Sequence, residues 1–60
     1  MQKAMKGDLV WYKNREWVVR ARRYYRETEQ SYYQLQSGRT GRGNTKTWAR
    51  SDTFDVLEMR

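Results

Sequence analysis

The chain has 60 residues, with 13 lysines and arginines against seven aspartates and glutamates, and its net charge is +6. Cysteine and histidine are absent, which excludes disulfides, thiol chemistry, imidazole acid–base catalysis and the common zinc sites. We therefore expect one small domain without cofactor, metal or enzymatic activity, and its basic excess indicates a polyanionic partner.

Aromatic residues are the main material for a core. Three Trp, five Tyr and one Phe are present, and each such side chain buries about 150–250 Å² when packed. No apolar run approaches the roughly 20 residues of a membrane span, and the first residues lack the apolar stretch of a signal peptide. We expect a protein of the cytoplasm that does not contact a membrane and that associates with the nucleoid if it binds DNA. Residues 1–6 are expected to be flexible.

The pattern of the first half of the chain indicates two strands. LVWYK (9–13) follows the turn residues Gly7 and Asp8, and Asn14 suits a tight turn. WVVRARRYYRE (17–27) is rich in β-branched and aromatic residues and lacks the 3.6-residue period of a helix. With period two, the predicted core face of this second strand holds Trp17, Val19 and Ala21. The predicted outer face holds Val18, Arg20, Arg22 and Tyr24.

The second half predicts three more strands. SYYQLQS (31–37) places Tyr33 and Leu35 inward, and TKTWAR (45–50) is the fourth strand. Between them the glycine-rich segment opens a basic loop, expected to be mobile over residues 38–46. SDTF (51–54) is typical of a one-turn 3-10 connector, and DVLEM (55–59) is the closing strand. The predicted core residues are Trp17, Val19, Tyr33, Leu35, Phe54, Val56 and Leu57, with either Leu9 or Val10.

Strand order and turn positions resemble the SH3-like small β-barrel superfamily, in its Tudor, KOW and chromo-like branches. The resemblance is carried by KGDLVWY (6–12), WVVRA (17–21), YYQLQSGRTGRG (32–43) and TWARSDTFDVLE (47–58). It implies an all-β fold, a small five-stranded SH3-like barrel with a one-turn 3-10 connector before the last strand. Members of this superfamily bind nucleic acids, methylated side chains or proline-rich peptides, so the fold alone does not decide the function.

The positive charge is concentrated in two segments. Residues 13–26 contain six basic residues and one glutamate, a net charge of +5, and residues 38–50 contain four basic residues and no acidic one, a net charge of +4. In RARRYYR (20–26), alternate residues of an extended strand would lie about 7 Å apart on one face, a row that can follow a phosphate backbone. The predicted row is Arg20, Arg22, Tyr24 and Arg26. The alternative is a solvated strand face.

The loop GRTGRGN (38–44) spaces two arginines with three glycines. Glycines let backbone N–H groups approach a phosphate, although the P-loop spacing is absent. We predict a mobile phosphate clamp, the alternative being a hairpin loop that needs positive φ. The predicted nucleic-acid-binding residues are Arg20, Arg22, Arg23, Tyr24, Arg26, Arg39, Arg42, Lys46 and Arg50.

Surplus aromatic residues allow a second kind of contact. Such side chains can stack on unpaired bases or cage a methylated cation, and the alternative is that they cover the barrel or pack at a dimer interface. The residues predicted for stacking or caging are Trp11, Tyr12, Tyr32 and Trp48.

The function predicted from the sequence is that of a small basic nucleic-acid-binding protein. We expect duplex DNA rather than RNA, contacts mainly to phosphates, and low sequence specificity, as suits a phage or mobile-element accessory protein. The alternative is an SH3- or Tudor-like interaction module that binds an acidic or methylated partner, or a second copy of itself as a homodimer. A remote alternative is an oligomeric enzyme resembling type II dihydrofolate reductase.

Overall fold

The structure is a computed structural model that describes residues 4–59. These residues form one antiparallel sheet with the strand order β4-β3-β2-β1-β5. The strands are β1 (Leu9–Tyr12), β2 (Arg15–Tyr25), β3 (Gln30–Ser37), β4 (Lys46–Arg50) and β5 (Asp55–Glu58). The predicted all-β fold with five strands is therefore confirmed. The predicted flexible segment 1–6 lies partly outside the described residues, and within it Ala4 is buried against the core.

The sheet is open, because β4 and β5 form its two edges and it does not close into a barrel. The predicted 3-10 connector is wrong, since residues 51–54 form an isolated turn. The Thr53 N–H and the Thr53 hydroxyl both donate to the Arg50 carbonyl, at 3.1 and 2.7 Å. A hydroxyl that bonds locally to the backbone favours a turn over continued helix.

Strand β2 contains a register shift that divides it into two parts. Val19 pairs with Leu35 and Ala21 pairs with Gln34, so Arg20 is an extra residue without its own partner in β3. A bulge of this kind increases the local twist and re-aims the side chains that follow. The N-terminal part of β2 pairs with both β1 and β3, and the part after Arg20 pairs with β3.

The core lies on one face of the sheet, here called the core face, which holds Tyr33 and Leu35. Its buried residues are Ala4, Val10, Trp17, Val19, Tyr33, Leu35, Ala49 and Phe54. The rings of Tyr33 and Phe54 meet edge to face with centroids 5.4 Å apart, and Trp17 Nε1 donates to the Tyr12 carbonyl at 2.8 Å. Burial of large aromatic rings stabilises a small core, provided that their polar atoms form hydrogen bonds, as the indole N–H of Trp17 does.

Most of the predicted core residues are confirmed, and one is wrong. Val56 packs against the core, but Leu57 is 51% exposed. Successive residues of a strand point to opposite faces, so Val56 and its neighbour cannot both point inward from β5. Ala4 and Ala49, which lie in the core, were not expected there.

A second, smaller apolar contact lies on the opposite face of the sheet, here called the outer face. Leu9 and Val18 pair across β1 and β2 and are 1% and 4% exposed, although neither belongs to the main core cluster. Gly41 is buried against Val18, and the Gly38 N–H donates to the Glu16 carbonyl at 3.0 Å. The glycine-rich loop therefore folds back over this face. The mobility expected for residues 38–46 stays a prediction.

Candidate nucleic-acid interface

The longest hairpin of the sheet carries the densest positive charge. It runs from Arg20 in β2, through the turn at residues 26–29, to Tyr33 in β3, and is here called the basic hairpin. Glu29 has a φ of 56° and its N–H donates to the Arg26 carbonyl at 3.3 Å, which closes the turn. Four arginines of this hairpin are exposed, and among the described residues none forms an ion pair. They are Arg20, Arg22, Arg23 and Arg26.

The register shift changes the predicted faces of β2. Residues paired across antiparallel strands lie on the same side of the sheet. Arg22 pairs with Tyr33 and therefore lies on the core face together with Tyr24, and both side chains are exposed there. The outer face predicted for Arg22 and Tyr24 is thus wrong, although the two side chains do share one face. Arg20 stands at the bulge and Arg26 follows the end of the strand, so the expected row is interrupted at both ends.

The residues of β2 that alternate with Arg22 and Tyr24 lie on the outer face. Ala21 pairs with Gln34 and Arg23 pairs with Tyr32, so Ala21 leaves the core face predicted for it. The extra residue in the bulge displaces the period-two pattern by one position, and every later side chain changes side. The basic hairpin consequently carries arginines on both of its faces.

The loop and β4 contribute fewer available cations than expected. Arg39 Nη1 lies 2.8 Å from Glu16 Oε2, and its Nη2 lies 3.6 Å from Glu58 Oε2. Arg50 Nε lies 3.3 Å from Asp52 Oδ1. Arg42 and Lys46 are exposed, and among the described residues neither has an ion pair. Two of the nine predicted contact residues are thus engaged by the protein's own carboxylates.

An aromatic cleft of about 560 Å³ opens on the outer face of the basic hairpin. The cleft, called the aromatic cleft below, is lined by Arg23, Tyr25, Glu27, Thr28, Tyr32 and Trp48. Trp48 and Tyr25 are 44% and 46% exposed. Tyr25 meets Tyr32 edge to face with centroids 5.4 Å apart, and Arg23 Cζ lies 5.7 Å from the centre of the Trp48 ring. The cleft therefore combines exposed ring faces with a guanidinium group.

The four aromatic residues predicted for stacking do not come together. Tyr32 and Trp48 line the aromatic cleft. Trp11 instead pairs with Glu16 and Asp55 near the other end of the sheet. Tyr12 packs edge to face on Trp17, with centroids 6.1 Å apart. The sequence analysis missed three lining residues, Tyr25, Glu27 and Thr28. The face of Tyr25 is decided by the bulge five residues earlier.

A second cleft lies at the same end of the sheet. It is lined by Tyr24, Glu29, Gln30, Ser31, Ser51 and Asp52. Tyr24 and Ser31 belong to the core face. Two carboxylates at this cleft oppose an approaching phosphate. Of the two clefts, the one beside Arg23 suits an anionic ligand better.

Neither a metal site nor a membrane-spanning helix is found in the part of the chain that the structure describes. Within residues 4–59, no group of three or more acidic side chains is arranged to hold a metal ion. The same part of the chain contains no helix with the length and apolar character needed to cross a membrane. Comparisons with protein-family models, curated proteins and solved structures found no match to this chain.

Proposed function

We propose that this protein binds nucleic acid through the basic hairpin, mainly by contacts to phosphates and with low sequence specificity. The observation that carries the proposal is that four exposed arginines occupy one hairpin, and that none of them is paired with a carboxylate among the described residues. Free guanidinium groups can donate two hydrogen bonds to one phosphate and release its counterions.

The geometry of the hairpin supports a duplex ligand. Arg22 and Arg23 are successive strand residues that lie on opposite faces. The major groove of B-DNA is about 12 Å wide and admits a two-stranded ribbon. At Tyr32 and Tyr33 the hairpin is flanked by β4, so only its tip beyond Tyr32 is a two-stranded ribbon. With this tip in the groove, Arg22 and Arg23 could approach the phosphate backbones from opposite faces of the sheet. This arrangement supports the expectation, drawn from the charge pattern, that duplex DNA is a ligand of the basic hairpin.

We also propose that the sheet is an open variant of the SH3-like arrangement. Supporting this are the antiparallel meander from β1 to β4, the pairing of β5 with β1, and the bulge that bends β2 at Arg20. The bend lets one long strand belong to two differently oriented parts of the sheet. The open edges of β4 and β5 distinguish it from a closed barrel.

The aromatic cleft favours a second candidate, an interaction module that binds a methylated cation. Three aromatic side chains and Glu27 line this cleft, a composition that can hold a quaternary ammonium group. However, Arg23 lies over the Trp48 ring, where such a cation would bind. Its positive charge opposes a cationic ligand and favours an anionic one, so we prefer nucleic acid.

The proposal is tested by fluorescence anisotropy with a labelled blunt DNA duplex at salt concentrations from about 50 to 200 mM. Replacing Arg20 and Arg22 together by Ala should weaken binding. The plot of log K against log salt, whose slope is negative, should become shallower by about 1.8, which corresponds to two lost phosphate contacts. The matched control is Lys13→Asn with Arg15→Ala, which removes the same charge from the β1–β2 turn.

The control is chosen to preserve the fold. Lys13 has a φ of 49°, a conformation that Asn tolerates better than most residues. Equal losses of affinity in the two double variants would show that only net charge matters and would remove the basic hairpin from the site. Absence of binding by the unmodified protein at low salt would refute the proposed function itself.

A further inference from the structure

We propose that the aromatic cleft binds one unpaired nucleobase by stacking, while neighbouring arginines hold the flanking phosphates. This inference rests on the proposed function and names the part of the nucleic acid that the cleft recognises. The arginines of the basic hairpin can bind the phosphates of paired and unpaired strands alike. The cleft adds affinity that only a base outside a duplex can supply, as in a single strand, an overhang or a gap.

The exposure of the aromatic rings is the first observation. Trp48 and Tyr25 leave nearly half of their surface in solvent, whereas Trp17 and Tyr33 are 4% and 2% exposed in the core. Since a planar base can cover such rings without sequence preference, stacking is a direct way to remove their apolar surface from water. Rings already packed in the core cannot take part.

The rings are also held in place before any ligand binds. Tyr25 and Tyr32 contact each other edge to face at 84°. Trp48 pairs with Gln34 in the neighbouring strand β3, two residues along from Tyr32, so both rings lie on the same face of the sheet. Side chains mounted on a sheet and packed against each other lose less conformational entropy on binding than free side chains do. The cleft is therefore organised for a flat ligand.

The charge around the rings selects the ligand. Arg23 lies against Trp48 and its N–H groups can still donate to a phosphate next to a stacked base. Arg50 and Lys46 lie on the same outer face of β4 as Trp48. The cleft also contains Glu27 and Thr28, whose oxygen atoms can accept from an exocyclic amino group of a base. A base linked to phosphates matches this combination.

The test uses three labelled probes that separate bases from phosphates. They are a single-stranded oligonucleotide, the same strand with abasic residues in place of its central nucleotides, and a blunt duplex. The unmodified protein should bind the complete strand about tenfold more tightly than the abasic strand, the effect expected for one base stacked on aromatic side chains. The blunt duplex offers phosphates but no unpaired base, so its affinity reports phosphate binding alone and should not depend on the aromatic cleft.

Trp48→Thr should abolish the difference between the complete and the abasic strand and leave the affinity for the blunt duplex unchanged. Thr is chosen because it favours strands. Circular dichroism will show whether Trp48→Thr folds, and Tyr25→Thr, at a second exposed position of the cleft, replaces it if it does not. The matched control is Trp11→Thr. The exposed fraction of Trp11 is 42%, similar to the 44% of Trp48. Trp11 lies away from the cleft, between Glu16 and Asp55, so its replacement should change neither affinity.

The possible outcomes distinguish failure of base stacking from failure of the proposed function. Equal affinity of the unmodified protein for complete and abasic strands would overturn base stacking and leave phosphate binding intact. No binding of any probe at low salt would overturn the proposed function and the inference together. Binding of a trimethyl-lysine peptide that Trp48→Thr abolishes, without oligonucleotide binding, would assign the cleft to a methylated cation instead.

Discussion

Gly41 lies directly on Val18, on the outer face of the sheet. A Cβ atom at Gly41 would come within 3.0 Å of Val18 Cβ and 3.3 Å of each of its γ-carbons, and the φ of Gly41 is +72°. The glycine loop thus covers an apolar pair of the sheet, in addition to any contact that it makes with a ligand. Glycine is required here for both space and backbone conformation.

Replacing Gly41 with Ala should lower the free energy of unfolding by about 1–3 kcal/mol, because the new methyl group would displace the loop from Val18 or strain the left-handed backbone. Urea denaturation followed by circular dichroism measures this change. Thr40→Ala, an exposed position in the same loop, should change it by less than about 0.5 kcal/mol. Equal stability of the two variants would contradict the packing of this loop.

Arg39 and Arg42 should have different roles although they share one loop. Arg39→Gln removes contacts to Glu16 and Glu58 and should cost up to about 1 kcal/mol of stability, with a smaller cost at high salt. Arg42→Gln should leave stability unchanged and weaken DNA binding. Thermal melts at two salt concentrations and anisotropy titrations measure both effects. If Arg42→Gln bound DNA as tightly as the unmodified protein, the loop would not belong to the interface.

Phe54 and Leu57 test the assignment of the core. Phe54 is 2% exposed and packs on Tyr33, so Phe54→Ala should cost about 3–5 kcal/mol, which approaches the whole stability of a small domain. Leu57 is half exposed, and Leu57→Ala should cost less than about 0.5 kcal/mol. Near-ultraviolet circular dichroism and denaturant melts should find the first variant largely unfolded and the second native. Similar losses would show that β5 is rotated about its axis.

Arg22 and Arg23 are neighbours with the same charge on opposite faces of β2. Because Arg23 lines the aromatic cleft, Arg23→Gln should reduce the affinity for a single strand more than Arg22→Gln does. For a blunt duplex the two variants should lose similar affinity, since each loses one phosphate contact. Anisotropy titrations of both variants with the single strand and with the duplex measure these four affinities. Identical single-strand affinities would argue against ligand binding at the cleft.

The local pattern of the chain determined the strands and turns. Alternation in YYQLQ placed Tyr33 and Leu35 inward, and both are buried. Asn14 marked the β1–β2 turn, where Lys13 and Asn14 both have positive φ. These features depend on residues close together in sequence, so a single sequence is enough to predict them. The clustering of arginines in residues 20–26 was visible for the same reason.

Which side each of those arginines takes was decided only by tertiary structure. The bulge at Arg20 arises from the register in which β2 pairs with β3. It places Tyr25 and Arg23 on the face that holds Trp48. The ion pairs of Arg39 likewise join residues distant in sequence. Period-two patterning assumes an uninterrupted strand, and one inserted residue reverses it. Composition thus determined how much positive charge this protein carries, and strand pairing determined which face presents it.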